Sequence, residues 1–321
     1  MLCEFSNRFP RDLAIWLERD RHLTRNFREE TTTDMLMAGL IPLEPLGVRV
    51  DFPDETVTGA DMDWIYAAPH EVGGGSYLRL MIQAKRCKEV TLKDGSSYWY
   101  YAHLDYGTPK GSQAATLVSH AATSPGGMET LPLYMFYHPL SSLQPATGSR
   151  PAVEGINLRL ARDVVGVVAG GCARVQKTVG HWRNGFFSLS DLLCFPLVPI
   201  PATTQPPPEA ANTTQFVMPD GLGFSLTSYP SAAFHPTLVA DRINDLDAGV
   251  DRIKADEPAA RPAEGIPDHI RRAIEGNVTE KDRKLLKRPR VIFSTSLTRE
   301  NPLFDLAREA SQSRRRRDGS D

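Results

Sequence analysis

The sequence predicts an α/β domain: a central mixed sheet of about four or five strands flanked by helices, followed by a Pro-rich, partly disordered C-terminal extension. Three observations predict it. First, two segments alternate with the period of a strand. In GADMDWIY (Gly59–Tyr66), Ala60, Met62, Trp64 and Tyr66 share one face while Asp61 and Asp63 share the other. In SYLRLMIQAKR (Ser76–Arg86), Leu78, Leu80, Ile82 and Ala84 form an apolar row opposite Met81, Gln83 and Lys85. Second, LPLYMFY (Leu131–Tyr137) is apolar on both faces, as a central strand is. Third, helical patterns surround these strands, and the composition changes at Pro196 into PLVPIPATTQPPPEAANTT, an extended linker.

Taken in order, residues 10–26 form a helix around Leu13, Ile15, Trp16 and Leu17. A second helix covers Glu29–Leu40, with cap-type side chains at Thr31–Asp34 and Pro42 as its stop. Gly47–Phe52 is a strand, and Asp54-Glu55 make the turn before the first alternating segment. After the pair comes a polar turn, Lys93-Asp94-Gly95, and then an aromatic cluster at Ser97–Leu104. That cluster reads as packing, with Tyr101 and His103 as its members nearest a substrate. Gly111–Ala122 is a helix opened by Gln113, with Leu117 and Val118 inward and His120 a surface or packing residue rather than a base. Val153–Val179 holds a strand or helix, a Gly-rich turn and a helix through Ala173–Val179, and Phe186–Phe195 closes the domain as a short amphipathic helix. The domain is thus drawn over 1–196, its core over 29–196, and the linker over 197–214. The remainder, 215–321, carries weak charged helices at 241–254 and 267–286, a last apolar stretch VIFSTSL and a tail with four consecutive arginines.

Several classes are excluded. The 321 residues carry a formal charge of −2, so any nucleic-acid contact needs a local basic patch rather than a global field. No run reaches the roughly 20 apolar residues of a membrane span, and the first residues contain early acids where a signal peptide is apolar; both point to the cytoplasm. Cys3, Cys87, Cys172 and Cys194 have no CxxC or Cys/His spacing, which argues against a zinc site and against a disulfide framework. Neither a Walker-type or dinucleotide-binding glycine loop nor GxSxG occurs.

If the two alternating strands pair, Asp61 or Asp63, Gln83 and Lys85 meet on one surface. A carboxylate, an amide oxygen and a lysine are the groups a Mg²⁺-assisted phosphodiester hydrolase needs. Taken singly, each also suits a solvated strand face or end. The pattern Asp…Gln-x-Lys resembles the PD-(D/E)xK nuclease core in the Gln-x-Lys form of Mrr-like restriction endonucleases. The larger set GAD…W, QAKR, a Tyr-rich segment, GxQ and PLYxFY is similar to a family of uncharacterised bacterial proteins associated with that superfamily, over about Glu29–Pro196.

This resemblance implies a restriction-endonuclease-like sheet acting on DNA, or RNA, often as a homodimer that cuts both strands. It implies that Asp61, Gln83 and an acid on the first core helix, Glu30, hold Mg²⁺ or Mn²⁺ and that Lys85 assists the attacking water. Asp63, Glu29, Arg86, Gln113 and Tyr101 are the expected supporting or substrate positions. Glu30 and Glu29 are the acids that match the superfamily's helix glutamate, and both also suit a helix N-terminus electrostatically. Because a neutral amide binds Mg²⁺ less tightly than a carboxylate, Gln83 leaves a second reading open: a catalytically silent nucleic-acid-binding or scaffold module. A third, a small-molecule enzyme, would rest on an acid pair chosen from Glu55, Asp63 and Glu89.

Overall fold

The computed structural model describes residues 2–24, 26–53, 61–108, 111–123, 130–168, 172–194, 212–217, 223–228, 234–248, 259–301, 304–305 and 307–309. The chain runs α1 (Leu2–Asp20), α2 (Glu29–Leu40), β1 (Val48–Asp51), β2 (Met62–Ala68) and β3 (Ser76–Arg86). Then come a small hairpin of β4 (Lys88–Thr91) and β5 (Ser97–Tyr100), the two-residue strands β6 (Gly107–Thr108) and β7 (Gly111–Ser112), α3 (Gln113–Ala122) and β8 (Thr130–Tyr137). Next are β9 (Ile156–Leu160), α4 (Ala161–Val168), α5 (Val179–Trp182), β10 (Phe187–Ser188) and α6 (Leu189–Leu193). The last group is β11 (Asn212–Val217), β12 (Gly223–Ser228), α7 (Pro236–Ala248), β13 (Ala263–Glu264), α8 (Asp268–Ile274), α9 (Glu280–Leu285) and β14 (Arg290–Ser294).

The expected α/β class holds, with a larger sheet. Eight strands form one mixed sheet in the order β1-β14-β2-β3-β8-β9-β10, with β13 paired to β3. Strands β2 and β3 are antiparallel, whereas β3 with β8 and β14 with β2 are parallel. Parallel neighbours need a crossover, and the β3-to-β8 crossover carries α3. The boundary expected at residue 196 does not bound this sheet. The stretch around VIFSTSL supplies β14, which lies between β1 and β2. The linker expected at 197–214 lies outside the described residues as far as 211, and so does the arginine run.

Both faces of β2 and β3 are covered, and every residue of the two strands is buried. The apolar row of the sequence pattern, Met62, Trp64 and Tyr66 with Leu78, Leu80, Ile82 and Ala84, packs with Leu13, Leu17, Leu36, Leu40, Leu192 and Ile243 of α1, α2, α6 and α7. The opposite face was expected to be polar. It is sealed instead by two smaller clusters, one joining Met81, Tyr134 and Phe136 to α3 and α4, the other joining Ile65, Ala67, Tyr77 and Ile292 to α8. Asp63, Gln83 and Lys85 are therefore buried polar groups, which are costly to place without partners.

Two details fix the backbone. Gly73, Gly74 and Gly75, between β2 and β3, all have positive φ (88°, 93° and 85°), a run that side-chain-bearing residues resist. Gly155 lies where α1 crosses the start of β9; a Cβ there would stand 1.7 Å from the carbonyl oxygen of Pro10. Against expectation, Cys3 and Cys194 form a disulfide that ties the start of α1 to the end of α6 across 191 residues of sequence. A pair so far apart leaves no spacing signal. Cys3→Ser is expected to lower stability by about 2–4 kcal/mol in urea melts without reductant and by little in dithiothreitol. Equal melts of wild type with and without reductant would show that the bridge contributes nothing. No described helix is long and apolar enough to cross a membrane.

Candidate active site

Asp61 immediately precedes β2, and the antiparallel register Met62↔Ile82 sets it opposite Gln83. Its backbone N–H donates to the Ile82 carbonyl at 2.9 Å. One carboxylate oxygen, Oδ2, accepts from Gln83 Nε2 at 2.5 Å and also from the Ala84 backbone N–H. Two residues further along β3, the Lys85 ammonium lies 3.3 Å from Glu29 Oε2, while the Arg86 backbone N–H donates to Glu29 Oε1 at 3.2 Å. Glu29 is the first residue of α2, so the helix N-terminus aims one carboxylate at β3. Lys85 has 4 % of its side chain exposed against 29 % for Glu29, so the pair is open only from the glutamate side.

This surrounding raises the Asp61 pKa to about 7. Removal from water is the largest cause. The Ala84 N–H and the Lys85 charge oppose it, and Glu29 and Glu30 add repulsion. Tyr134, directly opposite Gln83 on β8, lies on the same row. Its hydroxyl pKa is raised by burial first, then by the charges of Asp61 and Glu29. The Tyr134 hydroxyl and Gln83 Oε1 are both buried and have no hydrogen-bond partner among the described residues. Tyr134 was hidden in the sequence because LPLYMFY reads as uniformly apolar.

The other expected site residues sort differently. Glu30 is exposed and acts on Asp61 through its charge, whereas Glu29 is the acid in contact with β3, a difference set by helix phase. Asp63 shares a strand face with Asp61 but is occupied by Arg79 Nη2 at 2.7 Å, with Arg288 Nε 3.6 Å away. Arg86 acts as a clamp: it pairs with Asp20 at 2.5 Å and donates to the Phe27 carbonyl at 2.6 Å, fixing the end of α1. Tyr101 is fully buried, and its hydroxyl meets His138 Nε2 at 2.6 Å. The Glu154 carbonyl, 2.6 Å from Nδ1, can only accept, so the His138 proton sits on Nδ1 and Tyr101 donates to Nε2. Burial lowers the His138 pKa to about 4, in keeping with this neutral form. Gln113 opens α3 half-buried, with its backbone N–H donating to the Tyr106 carbonyl at 2.9 Å. His120 is exposed. Glu89 is paired with Arg21, and Gly59, Ala60, Asp54 and Glu55 lie outside the described residues.

Among the described residues no group of three His, Cys, Asp or Glu is placed to hold a metal ion. The oxygens gathered here are two carboxylates, Asp61 and Glu29, and the unpartnered amide oxygen of Gln83. Mg²⁺ commonly takes one or two protein carboxylates and completes its shell with water and phosphate, which this set fits.

The chain belongs to the family of unknown function DUF6615, whose model matches residues 2–300. No curated protein and no solved structure matches it.

Proposed function

We propose that the protein is a metal-dependent nuclease with a restriction-endonuclease-like core, hydrolysing phosphodiester bonds in DNA, with RNA as the other polymer the chemistry admits. One observation carries the reading. Asp61, Gln83 and Lys85, the residues of the PD-(D/E)xK-like pattern, converge beside a helix carboxylate, Glu29. The parallel β3/β8 pair and the crossover helix α3 support the same core. Asp61, Gln83 through Oε1 and Glu29 would hold Mg²⁺ or Mn²⁺. When bound, the ion neutralises phosphate charge and acidifies a water molecule. Lys85, nearly buried and steadied by Glu29, stabilises charge developing on the phosphate. The Ala84 N–H and Gln83 fix the orientation of the Asp61 carboxylate.

Supercoiled plasmid with Mg²⁺ or Mn²⁺ tests this directly. Wild type is expected to nick it, and Lys85→Ala and Asp61→Ala are each expected to lose at least about 100-fold in rate. Cleavage that survives both substitutions would sink the assignment. One observation favours the silent binding module: Asp61 and Glu29 already accept hydrogen bonds from protein donors, and Gln83 is neutral. That reading expects a gel shift with no cleavage under any divalent ion.

A further inference from the structure

We propose that Arg288 is the phosphate-binding arginine of this site, its partly exposed guanidinium donating to a non-bridging oxygen of a DNA backbone phosphate on the sheet face that carries Asp61 and Asp63. The proposal rests on the nuclease reading and adds to it a residue from the far end of the chain. Register places Arg288. Arg290 pairs with Asp63 across β14 and β2, and the Asp63 N–H donates to the Pro289 carbonyl at 2.9 Å. Arg288 lies in a bend just before β14, and its approach to Asp63 puts the side chain on the sheet face of Asp63, the face that also carries Asp61 and Gln83. Its Nε lies 3.6 Å from Asp63 Oδ2, beyond hydrogen-bond range. That oxygen already accepts from Arg79 at 2.7 Å.

The guanidiniums of Arg79 and Arg288 thus both face the Asp63 carboxylate. Nη1 of Arg288 is buried with no acceptor among the described residues, although the side chain as a whole is 16 % exposed. A buried guanidinium N–H without an acceptor is costly, and the missing acceptor should be anionic. Phosphate fits both the charge and the planar fork of arginine.

The test is binding of a short labelled DNA duplex by the full chain in Ca²⁺, titrated against NaCl, beside plasmid cleavage in Mg²⁺. Arg288→Ala is expected to bind about tenfold more weakly, with a log–log salt slope smaller by about one. The rise in melting temperature on adding Mn²⁺ should stay unchanged. Arg288→Lys should restore the salt slope but only part of the affinity, and it carries the test if the alanine variant melts early. If wild type binds and cleaves but Arg288→Ala binds with wild-type affinity and slope, Arg288 merely neutralises Asp63; the proposal is overturned and the nuclease reading stands. If wild type neither binds nor cleaves, both fall together.

Discussion

Asp61→Asn is expected to abolish the proposed cleavage and, in the same molecule, to raise the stability of the metal-free protein at pH 8. Loss of the carboxylate removes the main charged ligand proposed for the cation. The gain in stability follows from the pKa. The ordinary value is 3.8, and the folded protein raises it to about 7. Between those values the folded state keeps a proton that the unfolded state releases, so stability falls as pH rises through the window. Below pH 4 both states are protonated and the penalty vanishes; above pH 7 it is paid in full. Asp61 is only half-buried and retains part of its hydration, which brings the penalty to about 1–2 kcal/mol. Asparagine keeps an oxygen for the Ala84 and Gln83 N–H donors without the charge. Urea melts of both proteins from pH 4.5 to pH 8 should therefore diverge as pH rises, the variant becoming the more stable. Mn²⁺ should raise the melting temperature of wild type and leave the variant where it is. A variant less stable than wild type at pH 8 would mean that Asp61 anchors the fold, and the picture of a strained, ion-seeking carboxylate would be wrong.

Much of this site was legible because it rests on short-range pattern. Period-two alternation placed β2 and β3, and a hairpin-like pair carries Asp61 to Gln83 without further information. α2 and β8 were readable for the same reason. What was not legible depends on distant partners or on angle. Glu29 and Glu30 differ by about 100° around a helix, and only the packing of α2 on β3 selects Glu29. Asp63 could not be separated from Asp61 without Arg79 on the neighbouring strand and Arg288, more than 200 residues later. Arg86 looked free because its partner, Asp20, is set by where α1 ends. The polar face of β3 proved buried, since the helices that cover it follow no periodicity in β3 itself.

The same long-range dependence makes a chain ended at residue 196 the most severe test of the fold: it is expected not to fold cooperatively. Removing β14 takes a strand from inside the sheet, strips β1 of its neighbour and exposes an edge of β2. Phe293 goes with it, a fully buried ring stacked on Tyr66 at 4.7 Å and edge-on to Trp64 at 5.3 Å. Glu71, just after β2, loses the Arg299 guanidinium and His235 Nε2, both 2.9 Å away. The carbonyls of Gly74 and Gly75 lose their Ile266 and Gly265 N–H donors, which hold the glycine loop between the two strands of the site. In the full chain, Phe293→Ala alone should cost about 3–5 kcal/mol in a urea melt, because a cavity in the middle of a sheet collapses poorly. Near-UV circular dichroism of the truncated chain should be flat and its thermal melt without a cooperative transition. A cooperative melt from residues 1–196 would require β1 to pair directly with β2, and the site would then have to form without the C-terminal segment.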